Sequence, residues 1–486
     1  MSPRSLQVKR FVAATRLTRG TVRGPSCKIR CFDAMNPMLR NRLCLWSALA
    51  AAAAVAACGA FKSQPKRLAI AYTNDVRGEI RSCGCATHDL GGLGRRATFM
   101  KVFRDTTQAD LILVDAGDYF SASINYGKEK AELAMKSMAL MNYDGVVPGE
   151  KELGFGVDYF RERSRAIGLP VLASNVFKAG TDSLLFPASR ALTLRSGLRV
   201  GLVGALSPAI QLPPQVHAGT LEIRDPLALV QAAVDGLRPD VDVVVVLAHM
   251  GRGEAQHLSE ALKGVDVVVN GHDGVPVRKV KRWGEPYLLQ VSAKGLYVGV
   301  AYATLGKDKR IAHMSGTVVG LDKQFGDDEA VAKLFQSYDM DVMAREKAAL
   351  PTGAAVTFAT ADACQGCHAP IFEKWKGTRH AHAFEVLTAQ NRQFDRDCTP
   401  CHTTGFFKQG GFVNATATPH LAGVQCEACH GNGSAHAKDP KTKTDTVAKS
   451  MCHSCHTADQ TPDFDFATFW ARIDHGTMST PASGSK

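Results

Sequence analysis

The chain of 486 residues is long enough for two or three domains, each with its own core. Its hydrophobic content of 45% excludes a disordered chain and a protein with many membrane spans. The formal net charge of +12 would suit a nucleic-acid partner, but residues 1–58 contribute +9 of that charge, so we expect no nucleic-acid binding.

Residues 1–57 are predicted to be an export leader, followed by a linker over 58–66. Arg40 and Arg42 precede an alanine-rich apolar stretch that is too short for a secure membrane span. It ends in Val-Ala-Ala-Cys58-Gly59, which resembles the lipobox of bacterial lipoproteins. The resemblance implies that Cys58 is acylated and anchors the protein in a membrane facing the periplasm, with the outer membrane favoured by Gly59. An ordinary cleaved signal peptide is the alternative.

Residues 67–322 show an α/β rhythm. Short β-branched runs at 68–73, 111–114, 241–247 and 265–269 predict buried strands, and helical patterns at 93–103, 131–141, 159–167 and 227–237 separate them. Asp225 followed by Pro226 is typical of an N-cap and first helical turn. Alternation with glycine breaks over 275–319 predicts antiparallel strands. A helical connector is expected over 323–360, a separate domain over 361–475 and a disordered tail over 476–486.

The domain predicted at 361–475 contains four Cys-x-x-Cys-His motifs. Two thiols three positions apart can add to the two vinyl groups of one porphyrin, and the next histidine is then held under the iron. A zinc site does not require this histidine, which is present all four times, so we expect four c-type haems. The segment is poor in aliphatic runs, so the haems must supply its core. The attachment cysteines are Cys364, Cys367, Cys398, Cys401, Cys426, Cys429, Cys452 and Cys455, and the proximal histidines are His368, His402, His430 and His456.

The settings of two further histidines carry a resemblance. Trp375-Lys-Gly-Thr-Arg-His380 and Gly433-Ser-Ala-His436 resemble the tetrahaem cytochrome c family associated with hydroxylamine and nitrite metabolism. The resemblance implies that His380 and His436 are distal iron ligands, and His420 and His453 are the next candidates. Two histidines per iron would favour electron transfer, whereas an iron with an open site could reduce a small substrate.

Carboxylates and histidines stand at the ends of the predicted strands in residues 67–322. Asp75, Asp118, His249 and His272 each follow a strand, where an α/β fold presents its chemistry. Four such residues predict a metal site with hard to borderline ligands.

The sequence blocks around these residues resemble the calcineurin-like metallophosphoesterases, most closely the 5'-nucleotidase branch. The blocks are Thr73-Asn-Asp75-Val-Arg77-Gly78, Gly91-Gly-Leu-Gly-Arg-Arg96-Ala97, Asp115-Ala-Gly-Asp118, Gly149-Glu150-Lys151-Glu152, His249 and Gly271-His272. The resemblance implies a four-layer αββα sandwich in which two metals activate a water against a phosphate. The expected fold is therefore this α/β sandwich followed by a mainly α-helical and irregular multihaem domain.

The chemistry of the site departs from that family pattern. The family has histidine where this sequence has Arg77 and Gly274, and Asn-His where it has Glu150-Lys151. We therefore expect at most one divalent metal (zinc, manganese or iron). Arg77 and Lys151 could instead fill the site as counter-ions, because Asp75 and Asp118 would repel one another without a cation. The candidate ligands are Asp75, Asp118, Glu150, His249 and His272.

Cys83-Gly-Cys85 lies in the loop after Asp75, which borders the site in the resembling fold. A buried thiol pair or a strained disulfide is one interpretation; soft metal ligands or a redox-active dithiol is the other.

The whole sequence predicts a periplasmic electron-transfer protein with periplasmic or membrane redox partner proteins, in which the α/β domain serves as a docking or sensing module. Two other functions stay open. One is a metal-dependent phosphoester hydrolase of the 5'-nucleotidase type with haems in a redox role. The other is an oxidoreductase acting on a small molecule at an open haem.

Overall fold

The computed structural model describes residues 67–82, 89–121, 127–212, 219–277, 280–348 and, with short gaps, 358–476. The predicted leader, Cys58, Cys83, Cys85 and nearly all of the predicted tail lie outside these residues. The chain divides into two compact units. The first contains residues up to Arg77 together with Arg95–Tyr119 and Met141–Gly326, and the second contains Gly78–Gly94, Phe120–Leu140 and the residues from Asp327 onward.

Thirteen strands can be assigned in the described part of the chain, all within the first unit. They are β1 (Arg67–Thr73), β2 (Asp110–Asp115), β3 (Gly145–Val146), β4 (Val176–Lys178), β5 (Ser189–Thr193), β6 (Arg199–Leu206), β7 (Leu221–Ile223), β8 (Val243–His249), β9 (Val267–Gly271), β10 (Lys281–Arg282), β11 (Tyr287–Leu289), β12 (Tyr297–Leu305) and β13 (Ile311–Gly320).

Two sheets dominate the first unit, in the orders β13-β12-β1-β2-β3 and β10-β11-β9-β8-β6-β5. Strands β1 and β2 are parallel, as are β6, β8 and β9, which suits their nearly continuous apolar sequences. The antiparallel pairing predicted for 275–319 is confirmed for β12 with β13 and for β10 with β11, but β11 also pairs in parallel with β9, which the pattern did not predict. The connection from Gly271 to Tyr287 is long enough for the crossover that a parallel pair requires.

The helices of the described residues follow in chain order. They are α1 (Leu93–Thr106), α2 (Gly127–Leu140), α3 (Glu150–Leu153), α4 (Val157–Ile167), α5 (Pro226–Leu237), α6 (Arg252–Ala261), α7 (Glu329–Ala348), α8 (Thr360–Lys376), α9 (Ala383–Ala389), α10 (Thr399–His402), α11 (Cys426–His430), α12 (Ser434–Lys438), α13 (Lys449–His453) and α14 (Phe466–Ile473). The predicted N-cap is confirmed, because the Asp225 carboxylate accepts a hydrogen bond from Leu227 N and Pro226 occupies the first turn of α5.

The first unit has the four layers expected of an αββα sandwich. Side chains of α5 and α6 pack with β6, β8 and β9 in one apolar core. On the other sheet, Phe103 of α1 packs edge-on against Tyr302 of β12. The two sheets face one another, since a side chain at Gly145 of β3 would meet Leu202 of β6 and Leu247 of β8. Helices therefore cover the outer faces of two stacked sheets.

The second unit is helical and irregular. Helix α2 packs against α7, and Arg81 binds Asp339 of α7 through two 2.7 Å contacts while lying over the Phe335 ring. The C-terminal segment has one small apolar cluster, made of Phe358, Phe384, Leu387, Phe412 and Leu421. No helix in the described part of the chain is long and apolar enough to cross a membrane.

Candidate metal centre and haem-binding segments

The carboxyl ends of the central strands bring the predicted metal ligands together. Asp75 and Asp118 follow β1 and β2 with φ values of 51° and 58°, His249 ends β8, and His272 follows β9 with a φ of 97°. Positive φ values in residues other than glycine are uncommon and cluster at functional sites. The loops are tied together by Asp75 N, which donates to Gly117 O at 2.8 Å, and by Arg77 N, which donates to Asp118 O at 2.8 Å.

Glu150, His249 and His272 form a cluster suited to a metal ion, with one ligand atom from each lying within 4.8 Å of the others. His249 Nδ1 lies 2.7 Å from Ala116 O and Nε2 lies 3.0 Å from Glu150 Oε2. Donation from Nδ1 to a carbonyl orients the ring with Nε2 toward the site, as in many metal-binding histidines. His272 Nδ1 lies 3.4 Å from the same Glu150 oxygen and is buried without a hydrogen-bond partner. This donor set fits one divalent transition metal.

The other two predicted ligands are bound to cations of the chain itself. Asp118 is fully buried, and its Oδ2 accepts a short hydrogen bond from Lys151 Nζ, which also lies 2.9 Å from Glu150 Oε1. Asp75 Oδ1 lies 3.5 Å from Arg77 Nη2, which in turn donates to His272 O at 2.9 Å. Both cations predicted as counter-ions therefore contact the carboxylates they were expected to neutralise.

The charges of the site depend on one another. Burial raises the pKa of Asp118, against the lowering effect of His249 and Lys151. Burial alone would lower the pKa of His249, but Asp118 and Glu150 raise it to about 10. The pKa of Lys151 is raised in the same way, because Asp118 and Glu150 outweigh burial. The His249 imidazolium and the Lys151 ammonium thus compensate the charges of Asp118 and Glu150. A metal would have to displace a proton of His249 to bind to its ring.

Glu152 is a structural member of the site to which the sequence alone gives no role. It is fully buried, and its Oε2 accepts hydrogen bonds from Asp118 N at 2.9 Å and Gly149 N at 2.7 Å. Glu152 stands three residues after Gly149, the spacing of a capping box, and this spacing is the sequence feature that could have predicted its structural role. Gly274, where the family pattern has histidine, has a φ of 65° and offers no ligand.

The four haem motifs lie on or beside short helices of the second unit, and none of their eight cysteines forms a disulfide. The backbone of α8 is kinked at His368, at the end of the first motif. The thiols of the first and third motifs affect one another, since Cys426 raises the pKa of Cys364, and those of the second and fourth motifs do the same, since Cys455 raises the pKa of Cys401.

Three motif histidines face a histidine from elsewhere in the unit. The ring centres are 6.2 Å apart for His368 and His436, 6.2 Å for His380 and His456, and 5.7 Å for His430 and His475. Two imidazoles on opposite sides of one iron, each with a metal–nitrogen bond of about 2 Å, have ring centres roughly 6 Å apart. The ring separations of these pairs therefore match the separation of two imidazoles bound to one iron.

The predicted distal candidates differ in what the structure shows for them. His380 and His436 each face a motif histidine, and His475, which was not a candidate, faces His430. The roles of His420 and His453 stay predictions; His420 is exposed and the His453 ring lies 5.3 Å from Phe464. His402, the histidine of the second motif, is oriented by a 2.6 Å contact from Nδ1 to Ala383 O.

The two parts of the chain are similar to different known proteins. Residues 363–431, which contain three of the four motifs, match the family described as cytochrome c554 and c-prime. The chain is 26% identical over 296 residues to a snake venom 5'-nucleotidase of Naja atra and 25% identical over 298 residues to a 5'-nucleotidase of Bos taurus. These alignments cover 54% and 55% of this chain, and 55% and 51% of the relatives. The chain thus spans about half the length of the curated relatives it matches.

Solved structures show the same fold. A 5'-nucleotidase precursor of Thermus thermophilus superposes with a TM-score of 0.50 at 21% identity, covering 57% of this chain and 59% of that one. A sulfate thiohydrolase, SoxB, of the same organism has a TM-score of 0.52 at 18% identity, covering 64% of this chain and 67% of that one. The chain therefore joins a 5'-nucleotidase-like phosphoesterase fold to a cytochrome c region, as the motifs predicted.

Proposed function

We propose that this protein transfers electrons through four c-type haems, and that its 5'-nucleotidase-like part carries a degenerate centre with at most one divalent metal. The observation that carries the second half of the proposal is the position of Lys151. Its ammonium group contacts Asp118 and Glu150 together, in the space that a second cation would need.

The residues that would hold a single metal are Glu150, His249 and His272. A divalent ion bound there would supply Lewis acidity and a more acidic water. The dinuclear arrangement implied by the family resemblance would need Asp75 and Asp118 free as ligands, but Arg77 and Lys151 are bound to them. Displacing Arg77 and Lys151 would separate each cation from its fully buried carboxylate partner, which is unfavourable.

The histidine pairs support electron transfer over substrate chemistry at the three haems whose motif histidine faces a second histidine. Haem, when bound, supplies one-electron redox chemistry, and two imidazoles per iron leave no open position for a substrate. Backbone carbonyls orient one ring of these pairs and the remaining motif histidine: Nδ1 of His436 lies 2.7 Å from Thr442 O, and Nδ1 of His402 lies 2.6 Å from Ala383 O. Such contacts fix the tautomer that presents Nε2 to the metal.

Elemental analysis of the purified protein, with haem counted independently by pyridine haemochrome absorbance, tests both halves. We expect four haems and no more than one zinc, manganese or non-haem iron per chain, with no hydrolysis of nucleoside 5'-monophosphates. Two non-haem metals and rapid hydrolysis would instead establish the phosphoester hydrolase.

A gain-of-function variant tests whether the substitutions at positions 150 and 151 are what makes the centre degenerate. Glu150→Asn with Lys151→His restores the family pattern at two of its four altered positions. We expect this double variant to bind more metal than the wild type. If the wild type already hydrolyses nucleotides and the double variant is no better, the centre is not degenerate.

We also propose that Cys58 carries a lipid that anchors the protein in a membrane facing the periplasm, where it exchanges electrons with periplasmic or membrane redox proteins. The support is the lipobox-like sequence before Cys58 and the need for haem attachment after export. A Cys58→Ser variant should then appear in the soluble periplasmic fraction. Its retention in the membrane would contradict lipidation.

A further inference from the structure

A cluster of buried charges lies beside the second haem motif. Arg392 and Lys130 are only 9% and 8% exposed, which is unusual for cationic side chains. Both contact one carboxylate: Arg392 Nη2 lies 2.9 Å from Asp395 Oδ2, and Lys130 Nζ lies 3.9 Å from Asp395 Oδ1. The remaining guanidinium nitrogen of Arg392 donates to Ser82 O at 3.3 Å.

Backbone hydrogen bonds place this cluster directly against the haem attachment point. Asp395 O accepts from Cys398 N at 2.9 Å and from Thr399 N at 3.0 Å, so Asp395 begins the turn that leads into α10. Burial raises the pKa of the Cys398 thiol, the negative charges of Asp395 and Glu79 raise it further, and the positive charges of Arg392 and Lys130 lower it. The thioether bond to the porphyrin would be made at this sulfur.

We propose that Arg392, Asp395 and Lys130 set the reduction potential of the haem attached at Cys398 and Cys401, as positioning residues that act through fixed charge. This inference rests on the proposed electron-transfer function and adds the residues that control the potential of one haem. Buried charges interact strongly because little water screens them. A cation near the porphyrin favours the reduced state, and an anion favours the oxidised state.

The redox step involves one electron and no bond to the cluster. Dithionite supplies the electron in a reductive titration and ferricyanide removes it in the reverse direction. The iron passes between the ferric and ferrous states, so the formal charge of the haem falls by one on reduction while Asp395, Arg392 and Lys130 keep their charges. The cluster therefore shifts the equilibrium without taking part in the reaction.

The test is an optical redox titration of the full, haem-loaded chain carrying single substitutions. Asp395→Asn removes an anion and should raise the potential of one haem component, whereas Arg392→Gln removes a cation and should lower it. Arg392→Lys keeps the charge and should stay close to the wild type. Lys408→Gln removes a cation from an exposed position six residues after His402 and should shift the component much less.

The outcomes distinguish this inference from the function on which it rests. Covalent haem content and the melting temperature of each variant show first whether it is loaded and folded. If the wild type carries no covalent haem, the proposed function fails. If loaded and folded Asp395→Asn and Arg392→Gln shift in the same direction, or shift no more than Lys408→Gln, the cluster does not set the potential and the inference is wrong.

Discussion

Lys151 is the residue on which the state of the metal centre depends. Its Nζ lies between two carboxylates in a site where Asp118 is fully buried, and its side chain is 17% exposed. An ammonium group in this position performs the electrostatic task of a metal ion, because it neutralises converging anions, but it offers no Lewis acidity and no coordination site for water.

Replacing Lys151 by glutamine should therefore destabilise the protein and increase its dependence on metal. Loss of one partner from a largely buried ion pair leaves Asp118 compensated only by His249, for an expected loss of about 2–4 kcal/mol in the free energy of unfolding. Added zinc or manganese should restore much of that loss by binding the freed carboxylates. Urea denaturation with and without metal measures both effects.

The matched control is Lys333→Gln, because Lys333 pairs with Glu329 on the exposed face of a helix. Its free energy of unfolding should change by less than about 0.5 kcal/mol. A Lys151→Gln protein as stable as this control would show that the Lys151 contacts contribute little.

His475 makes a second prediction at this scale. Its ring centre lies 5.7 Å from that of His430, so we expect it to complete the coordination of the third haem. His475→Ala should convert one low-spin ferric signal to high spin in the electron paramagnetic resonance spectrum, because the iron loses its sixth ligand. His382→Ala removes an exposed histidine bound to Glu385 and should leave the spectrum unchanged. An unaltered spectrum in His475→Ala would exclude this ligand.

The sequence predicts some elements and contacts more easily than others. Asp75, Asp118, His249 and His272 could be brought together in advance because parallel strands present their carboxyl ends at one edge. The pairing of His430 with His475 could not, since the two are 45 residues apart with no sequence signal for their approach. The parallel pairing of β11 with β9 could not be predicted, because the three residues of β11 carry almost no periodicity.

The turn before α3 offers a prediction at the scale of the element. Gly149 is the N-cap of this four-residue helix, and a Cβ added there would clash with Asp118 Oδ1 and lie 2.7 Å from His249 Nε2. Gly149→Ala should thus destabilise the protein by about 1–3 kcal/mol and weaken metal binding by displacing Glu150. Thermal unfolding and zinc titration measure the two effects.

Gly236 provides the comparison, since a Cβ on this residue of α5 would meet no atom within 4 Å. Gly236→Ala should stabilise the protein by about 0.5–1 kcal/mol through helix propensity. Equal effects of the two substitutions would show that the space around Gly149 is not constrained by the site.

At the scale of the whole molecule, the segments that follow the first two strands belong to the second compact unit and not to the unit that contains those strands. In the sequence, 78–94 and 120–140 interrupt the phosphoesterase-like fold, yet in the structure they belong to the compact unit that contains the haem motifs. Arg392 bonds to Ser82 of the first loop, and its partner Asp395 contacts Lys130 of the second. Segments that follow the predicted metal ligands Asp75 and Asp118 in sequence thus contact residues beside the second haem motif.

The two units should also differ in what their folding requires. The first has continuous apolar strands such as β8, in which all seven residues are buried. The C-terminal segment of the second has five buried apolar residues in its cluster, too few for a stable core without cofactor. We therefore expect the chain made without haem attachment to keep its sheets while residues 358–476 remain unfolded, because the haems contribute the missing apolar surface.

Limited proteolysis of the full chain, produced with and without the haem-attachment machinery, measures this difference. The haem-free chain should be cut first within residues 358–476, and its far-UV circular dichroism should retain the β-sheet signal. The loaded chain should resist cleavage there under the same conditions. Equal resistance of the two forms would mean that the small Phe358, Phe384, Leu387, Phe412 and Leu421 cluster suffices to fold the segment. In that case haem attachment would follow folding instead of driving it.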